Sequence, residues 1–147
     1  MKILWSNFPI PEPFIISFVA GGILQIIEPA PVLPPSSLWF LIGPILILAG
    51  VAIATWCVAI ARDNDMEQPA ALVTGGPYAI CRNPMYLSWA VIGIGLTVLF
   101  NSLWLAMATL VATIYIHVIT IPREEQALQR TFGTQYETYR KRVRRWL

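Results

Sequence analysis

Residues 84–121 read PMYLSWAVIGIGLTVLFNSLWLAMATLVATIYIHVITI. Two apolar runs, Met85–Phe100 and Ser102–Ile121, meet at the polar pair Asn101-Ser102. A break that short predicts two antiparallel helices folded back on each other. The second run has the ~20 residues needed to cross a bilayer core. It holds nine Leu, Ile and Val residues. Together they favour insertion by about 3 to 5 kcal/mol, enough to carry one neutral His and several Thr. The first run is shorter. At a rise of 1.5 Å per residue it reaches roughly 24 Å, so it needs its ends or a locally thinned membrane.

Two further apolar runs precede this hairpin, Phe14–Ile27 and Leu38–Ala61. The chain is 56% hydrophobic and 12% charged over 147 residues. That charged share is about half the usual one and excludes an ordinary water-soluble domain. The expected fold is all-α: a single membrane domain over 1–147, a bundle of four transmembrane helices plus a C-terminal amphipathic interfacial helix. Residues 1–61 supply two helices, and 72–147 supply the hairpin and the C-terminal segments. Gly50, Ala54, Gly93 and Gly95 suit close helix packing, and Gly43-Pro44 is expected to kink the second helix. If all four runs span, one side receives only residues 28–37 and the Asn101-Ser102 bend. All ten Lys and Arg residues then fall on the other side, which the positive-inside bias makes the cytoplasm, with both termini there. The start, MKILWSNFPIPEPF, does not read as a signal peptide. The two cysteines, Cys57 and Cys81, form neither a disulfide framework nor a zinc motif.

The polar residues of the hairpin are arranged with a direction. Thr113, His117, Thr120 and Glu124 stand at intervals of four, three and four, one face of a regular helix. That face leads to the end where Glu124-Glu125 meets Arg82-Asn83-Pro84. Asn83 suits an N-cap and Pro84 a first helical position. The helix start favours an anion, and a glutamate accepts from an ammonium or a ribose hydroxyl. Thr74-Gly75-Gly76-Pro77-Tyr78 supplies a tight turn beside them, and Tyr78 and Tyr86 supply rings. A zwitterionic amino acid joined to a nucleoside fits this corner. The plainer readings stand beside it: His117 as a packing residue, and the glutamate pair as a solvated helix end.

Beyond Ile121 the chain turns polar. Leu128 and Phe132 suggest a short helix ended by Gly133. Thr134 to Glu137 matches a capping box. Tyr136, Tyr139, Val143 and Trp146 then form one stripe among Arg140, Lys141, Arg142, Arg144 and Arg145. The expectation is a helix lying on the inner membrane surface, anchored to anionic lipid heads.

Gly76-Pro77-Tyr78, Arg82-Asn83-Pro84-Met85-Tyr86, Glu124-Glu125, and Phe132-Gly133 with Tyr136 and Tyr139 together resemble the isoprenylcysteine carboxyl methyltransferase and phospholipid methyltransferase families. Those families share an Arg-His-Pro-x-Tyr segment, a hydrophobic helical hairpin and a Glu-Glu pair. The resemblance covers roughly residues 72–147. It implies a membrane-embedded methyltransferase that uses S-adenosylmethionine, held at the cytoplasmic end of the hairpin. By that analogy Tyr78, Arg82, Asn83, Pro84, Tyr86, Glu124 and Glu125 line the cofactor pocket, with His117 counted among them. Asn83 stands where the families usually have His; it donates a hydrogen bond but does not titrate near neutral pH.

Methyl transfer from a sulfonium asks mainly for proximity and exclusion of water, and no metal. A carboxylate acceptor needs a cation, for which Arg140 and Arg144 are candidates. An amine acceptor needs a proton taken, by Glu125 or His117. The acceptor is expected to be lipidic or amphipathic and to arrive from the bilayer; no nucleic acid is expected. Two other classes fit parts of the pattern: a nicotinamide-dependent reductase of a sterol-like lipid, and a small four-helix transporter.

Overall fold

A computed structural model describes residues 11–61 and 71–147. The expectations that rest on the opening residues 1–10, and on residues 62–70 of the basic-side loop, lie outside the described residues.

Each apolar run forms a helix: α1 Glu12–Ile27, α2 Trp39–Ala61, α3 Pro84–Phe100, and α4 Leu103–Phe132. α2 runs through Pro44 as one helix. α2 packs along α3, α1 packs along α4, and α3 touches α4. Small residues make this approach possible. A Cβ on Gly50 would lie 2.6 Å from Ile92 Cγ1 and 2.7 Å from the Ser88 carbonyl oxygen. Gly93 meets Thr109 of α4 in the same way. Two small clusters fill the remaining space. Phe14 packs with Ala112, Ile116 and Ile121, and Ala54 packs with Cys57 and Met85.

The large apolar side chains mostly face outward, among them Ile16, Val19, Ile26, Phe40, Leu48, Leu110 and Val118. α2 and α4 are long and apolar enough to cross a membrane, while α1 and α3 are shorter apolar helices. The most apolar windows of α2 and α4 are only 22% and 28% buried, unlike the core helix of a water-soluble protein.

α4 departs from the sequence expectation in two ways. It does not stop at Ile121 but continues to Phe132, ending at Gly133, whose φ is +50°. Pro122 falls in the first turn after an irregularity, where a missing N–H is tolerated. That irregularity is a π turn over Ile116–Thr120, in which the Ile121 N–H reaches back to the Ile116 carbonyl. The buried positions record it. Leu105, Thr109, Ala112 and Ile116 follow at four, three and four; then comes a step of five to Ile121. The extra residue rotates the last stretch of the helix. A regular helix carries the inward face through Thr120 to Glu124; the π turn carries it through Ile121 to Glu125.

The two ends of the bundle differ. At the loop end, Asn101 adopts left-handed backbone, φ 44°. Its Oδ1 accepts from Val32 N and Leu33 N at 3.0 and 2.8 Å, and its Nδ2 donates to the Leu33 carbonyl at 2.9 Å. Ser102 caps α4, accepting from Leu105 N at 3.2 Å. Both interhelical connections, residues 28–37 and the Asn101-Ser102 bend, therefore meet at this end. The start of α3 and the close of α4 meet at the other.

The C-terminal expectation needs correction. Gly133, not Thr134, precedes the last helix, α5 Thr134–Arg142, and no side chain caps it. The stripe to Trp146 does not form, because the helix stops at Arg142 and Val143 is extended. Tyr136 and Tyr139 are buried in the protein instead of lying along a membrane surface. Their hydroxyls find polar partners at the end of the hairpin, which a lipid interface does not offer.

Candidate functional site

The site is assembled from four short pieces of chain. Gly76–Ala79 forms a single 3₁₀ turn entered through Gly76 at φ +56°, a backbone that favours glycine. The Tyr78 carbonyl accepts from the Tyr139 hydroxyl at 2.7 Å. The Tyr78 ring packs toward Ala54, Cys57 and Met85. Next, Arg82 N donates to the Arg144 carbonyl at 2.8 Å, pairing this segment with the extended C-terminus. Asn83 occupies the N-cap position of α3 and Pro84 the first helical one. The Asn83 side chain makes no cap, however. Its Nδ2 donates to the Arg145 carbonyl at 3.0 Å.

Arg82 turns inward, its side chain 11% exposed. One nitrogen, Nη1, lies 3.1 Å from Glu125 Oε1 and donates to the Tyr136 hydroxyl at 3.2 Å. Glu125 is shared. Arg145 Nε donates to Oε1 at 3.1 Å and Arg145 Nη2 to Oε2 at 2.6 Å, the two-pronged geometry that a guanidinium offers a carboxylate. Glu124, one residue earlier, accepts from the Tyr86 hydroxyl. So the sequence expectation that the hairpin delivers Arg82 and the glutamate pair to one place holds in the geometry. The π turn decides that Glu125 takes Arg82, while Glu124 stands at a more exposed position with Tyr86.

The remaining candidates are placed differently. His117 is not brought to the ion pairs; it is exposed, and its Nδ1 accepts from Trp146 Nε1 at 3.0 Å. Arg140 is exposed at the lip of a shallow cavity of about 260 Å³ lined by Pro122, Glu125, Gln126 and Gln129. Arg144 contributes its carbonyl to Arg82, with its side chain exposed. Two residues that sequence reasoning did not single out, Arg145 and Trp146, make direct contacts here. Nothing in the local pattern separates Arg145 from the cations around it.

The electrostatics follow from this geometry. The hydrogen bonds of Glu125 push the Arg145 guanidinium further up from its ordinary value. Burial pushes the Tyr78, Tyr136 and Tyr139 hydroxyls up, which keeps them neutral; Tyr139 donates, while Tyr136 accepts from Arg82. Two guanidinium groups share one carboxylate, which leaves the Arg82–Glu125–Arg145 cluster with a surplus positive charge. Among the described residues Arg82 Nε, which is buried, has no hydrogen-bond partner. Among the described residues no three His, Cys, Asp or Glu side chains converge as a metal centre would need.

The fold and the site together define a helical membrane protein with a charged site where its α3–α4 hairpin closes. The phospholipid methyltransferase family model matches residues 38–135, and the chain belongs to this family of membrane methyltransferases. A nickel-cobalt-cadmium resistance protein, NccN, of Alcaligenes xylosoxydans xylosoxydans is 30% identical over 100 residues. That match covers 65% of this chain and 45% of the relative, so the chain matches less than half of the relative's length. No solved structure matches the chain.

Proposed function

We propose that this protein is a multi-pass membrane methyltransferase that uses S-adenosylmethionine to methylate a lipidic or amphipathic acceptor. The observation that carries this reading is the Arg82–Glu125 ion pair at the end of the hairpin, beside the Tyr86–Glu124 hydrogen bond. Family membership supports methyl transfer. The residues fit the methyl donor. A buried guanidinium nitrogen without a partner suits its carboxylate, and the Glu124 carboxylate suits an ammonium or ribose hydroxyls. The bound donor supplies an electrophilic methyl group and a neutral thioether leaving group.

The chain's own part is to bind, orient and exclude water. Arg82 and Glu124 fix the two ends of a zwitterion, and Tyr86 fixes Glu124. Asn83 and Pro84 set where α3 begins, and with it where Arg82 turns inward. Arg140 and Arg144, both exposed at this rim, are the cations offered to an acidic acceptor. Glu125, held by two guanidinium groups, organises the site; it is poorly placed to take a proton. His117, whose Nδ1 accepts from Trp146, takes a proton from an amine acceptor only if that hydrogen bond is released. Every Lys and Arg among the described residues belongs to the site end of the bundle, and the positive-inside bias supports a cytoplasmic site.

Calorimetry on detergent-solubilised protein tests this reading. S-adenosylmethionine is expected to bind, and Arg82→Ala and Glu124→Gln each to weaken it at least about tenfold, 1.4 kcal/mol. A reduced nicotinamide dinucleotide that binds in place of S-adenosylmethionine would instead indicate the reductase class. Equal affinity of all three proteins for S-adenosylmethionine would remove Arg82 and Glu124 from the site.

A further inference from the structure

Arg145 sits on an extended strap, residues 143–147, that crosses the start of α3. Four contacts pin it. Arg82 N holds the Arg144 carbonyl, and Asn83 Nδ2 holds the Arg145 carbonyl. The Arg145 side chain grips Glu125 with two hydrogen bonds, and Trp146 donates to His117. A carboxylate left alone beside Arg82 would take it two-pronged, the geometry that guanidinium and carboxylate prefer. Here it does not. Glu125 Oε2 is turned to Arg145, Arg82 reaches Glu125 through Nη1 alone, and Arg82 Nε has no partner.

We infer that Arg145 is a positioning residue of this site: by taking Glu125 Oε2 it limits Arg82 to a one-pronged pairing with that carboxylate and leaves the rest of the Arg82 guanidinium for an anionic group of a bound ligand, a carboxylate or a phosphate. Within the cluster two cations share the Glu125 carboxylate, while Glu124 is engaged by Tyr86. Asn83 gains a role in the same arrangement. Its carboxamide, unused as a helix cap, fixes the backbone from which Arg145 reaches Glu125. Lysine does not replace arginine in this role, because an ammonium cannot hold both carboxylate oxygens in one plane.

The identity of the ligand rests on the function proposed above; the pairing of Arg145 with Glu125 does not. The test therefore has two arms on the full-length protein in detergent micelles. In the first, nitrogen-15 NMR follows the arginine Nε–H resonances with nothing added. Arg145→Ala, and to a smaller extent Arg145→Lys, should move the Arg82 resonance as Glu125 turns onto it. Arg142→Ala, on the exposed side of α5, should not move it. An Arg82 resonance unmoved by both Arg145 variants overturns the inference. In the second, S-adenosylmethionine binding to Arg145→Ala should weaken at least tenfold, recover on addition of ethylguanidinium, and recover only partly in Arg145→Lys. Binding by Arg145→Ala as tight as wild type or tighter also overturns it, since the strap would then be idle or a competitor. If the wild type binds no S-adenosylmethionine, the proposed function fails, and the resonance shift alone decides the role of Arg145.

Discussion

The two ends of the helical hairpin are built from different chemistry. At the loop end Asn101 spends its whole carboxamide on the backbone of Val32 and Leu33, and Ser102 caps α4. The Trp104 indole donates to the Glu28 carbonyl at 2.7 Å, and Leu103 N to the Ala30 carbonyl at 2.8 Å. These are neutral groups, each matched by a partner within the chain. At the other end charged groups converge: two guanidinium groups on one carboxylate, a second glutamate held by Tyr86, and a buried Arg82 nitrogen with no partner among the described residues. A closed turn needs no charge and leaves nothing unpaired. An end that gathers partly buried charges and an unpaired donor costs stability, the pattern that the proposed ligand site would explain.

Substitutions at the two ends put this contrast at risk. The largest effect is expected from Glu125→Ala, which strands two cations at once. Removing one member of a mostly buried ion pair costs about 3 kcal/mol, and thermal unfolding in detergent should register it. Raising the salt concentration should narrow the gap between variant and wild type, because added ions screen the stranded cations. A loss below ~1 kcal/mol would show that the cluster contributes little to holding this end. Asn101→Ala comes next. It removes three hydrogen bonds and places alanine at a left-handed backbone position, a loss of about 2 kcal/mol that salt should not change. Salt sensitivity there would erase the distinction between the ends. Ser102→Ala removes one cap, and about 1 kcal/mol is expected in the same melting experiment. The smallest change belongs to Arg142→Ala, an exposed residue on α5, at less than ~0.5 kcal/mol. A larger loss would mean that the basic face of α5 bears on the fold, not only its buried tyrosines.

Much of the bundle was legible because apolar content and helix breakers are local. The four apolar runs became helices within two residues of their expected bounds, except at the close of the last one. Gly50 and Gly93 were readable as close contacts because only a missing side chain permits them. Gly133 was readable as a helix stop because its backbone is left-handed. The site was legible in outline, since any antiparallel hairpin that starts after Arg82 and ends near Glu124-Glu125 brings them to one end. Which glutamate would meet Arg82 was not. A face counted at regular helical intervals passes through His117 and ends at Glu124. The π turn adds one residue between Ile116 and Ile121 and turns Glu125 inward instead.

The C-terminal segment shows where such reading stops. Tyr136, Tyr139, Val143 and Trp146 have helical spacing, and an isolated peptide of that composition would be read as amphipathic. In the folded protein the two tyrosines are buried, and the chain leaves the helix after Arg142. The residues beyond then run extended across the start of α3. Five cations lie within six positions there, and only Arg145 grips Glu125.

The sequence alone therefore determined that this chain makes apolar helices, where the hairpin folds back, and that charge gathers at one end. Those properties follow from side-chain transfer energies and backbone preferences that act within a few residues. Tertiary structure alone decided which glutamate meets Arg82, that Asn83 holds the strap and does not cap a helix, and which of the C-terminal arginines enters the site. Those choices depend on one extra residue in a helical turn and on carbonyls more than sixty positions away, and no local pattern carries that information.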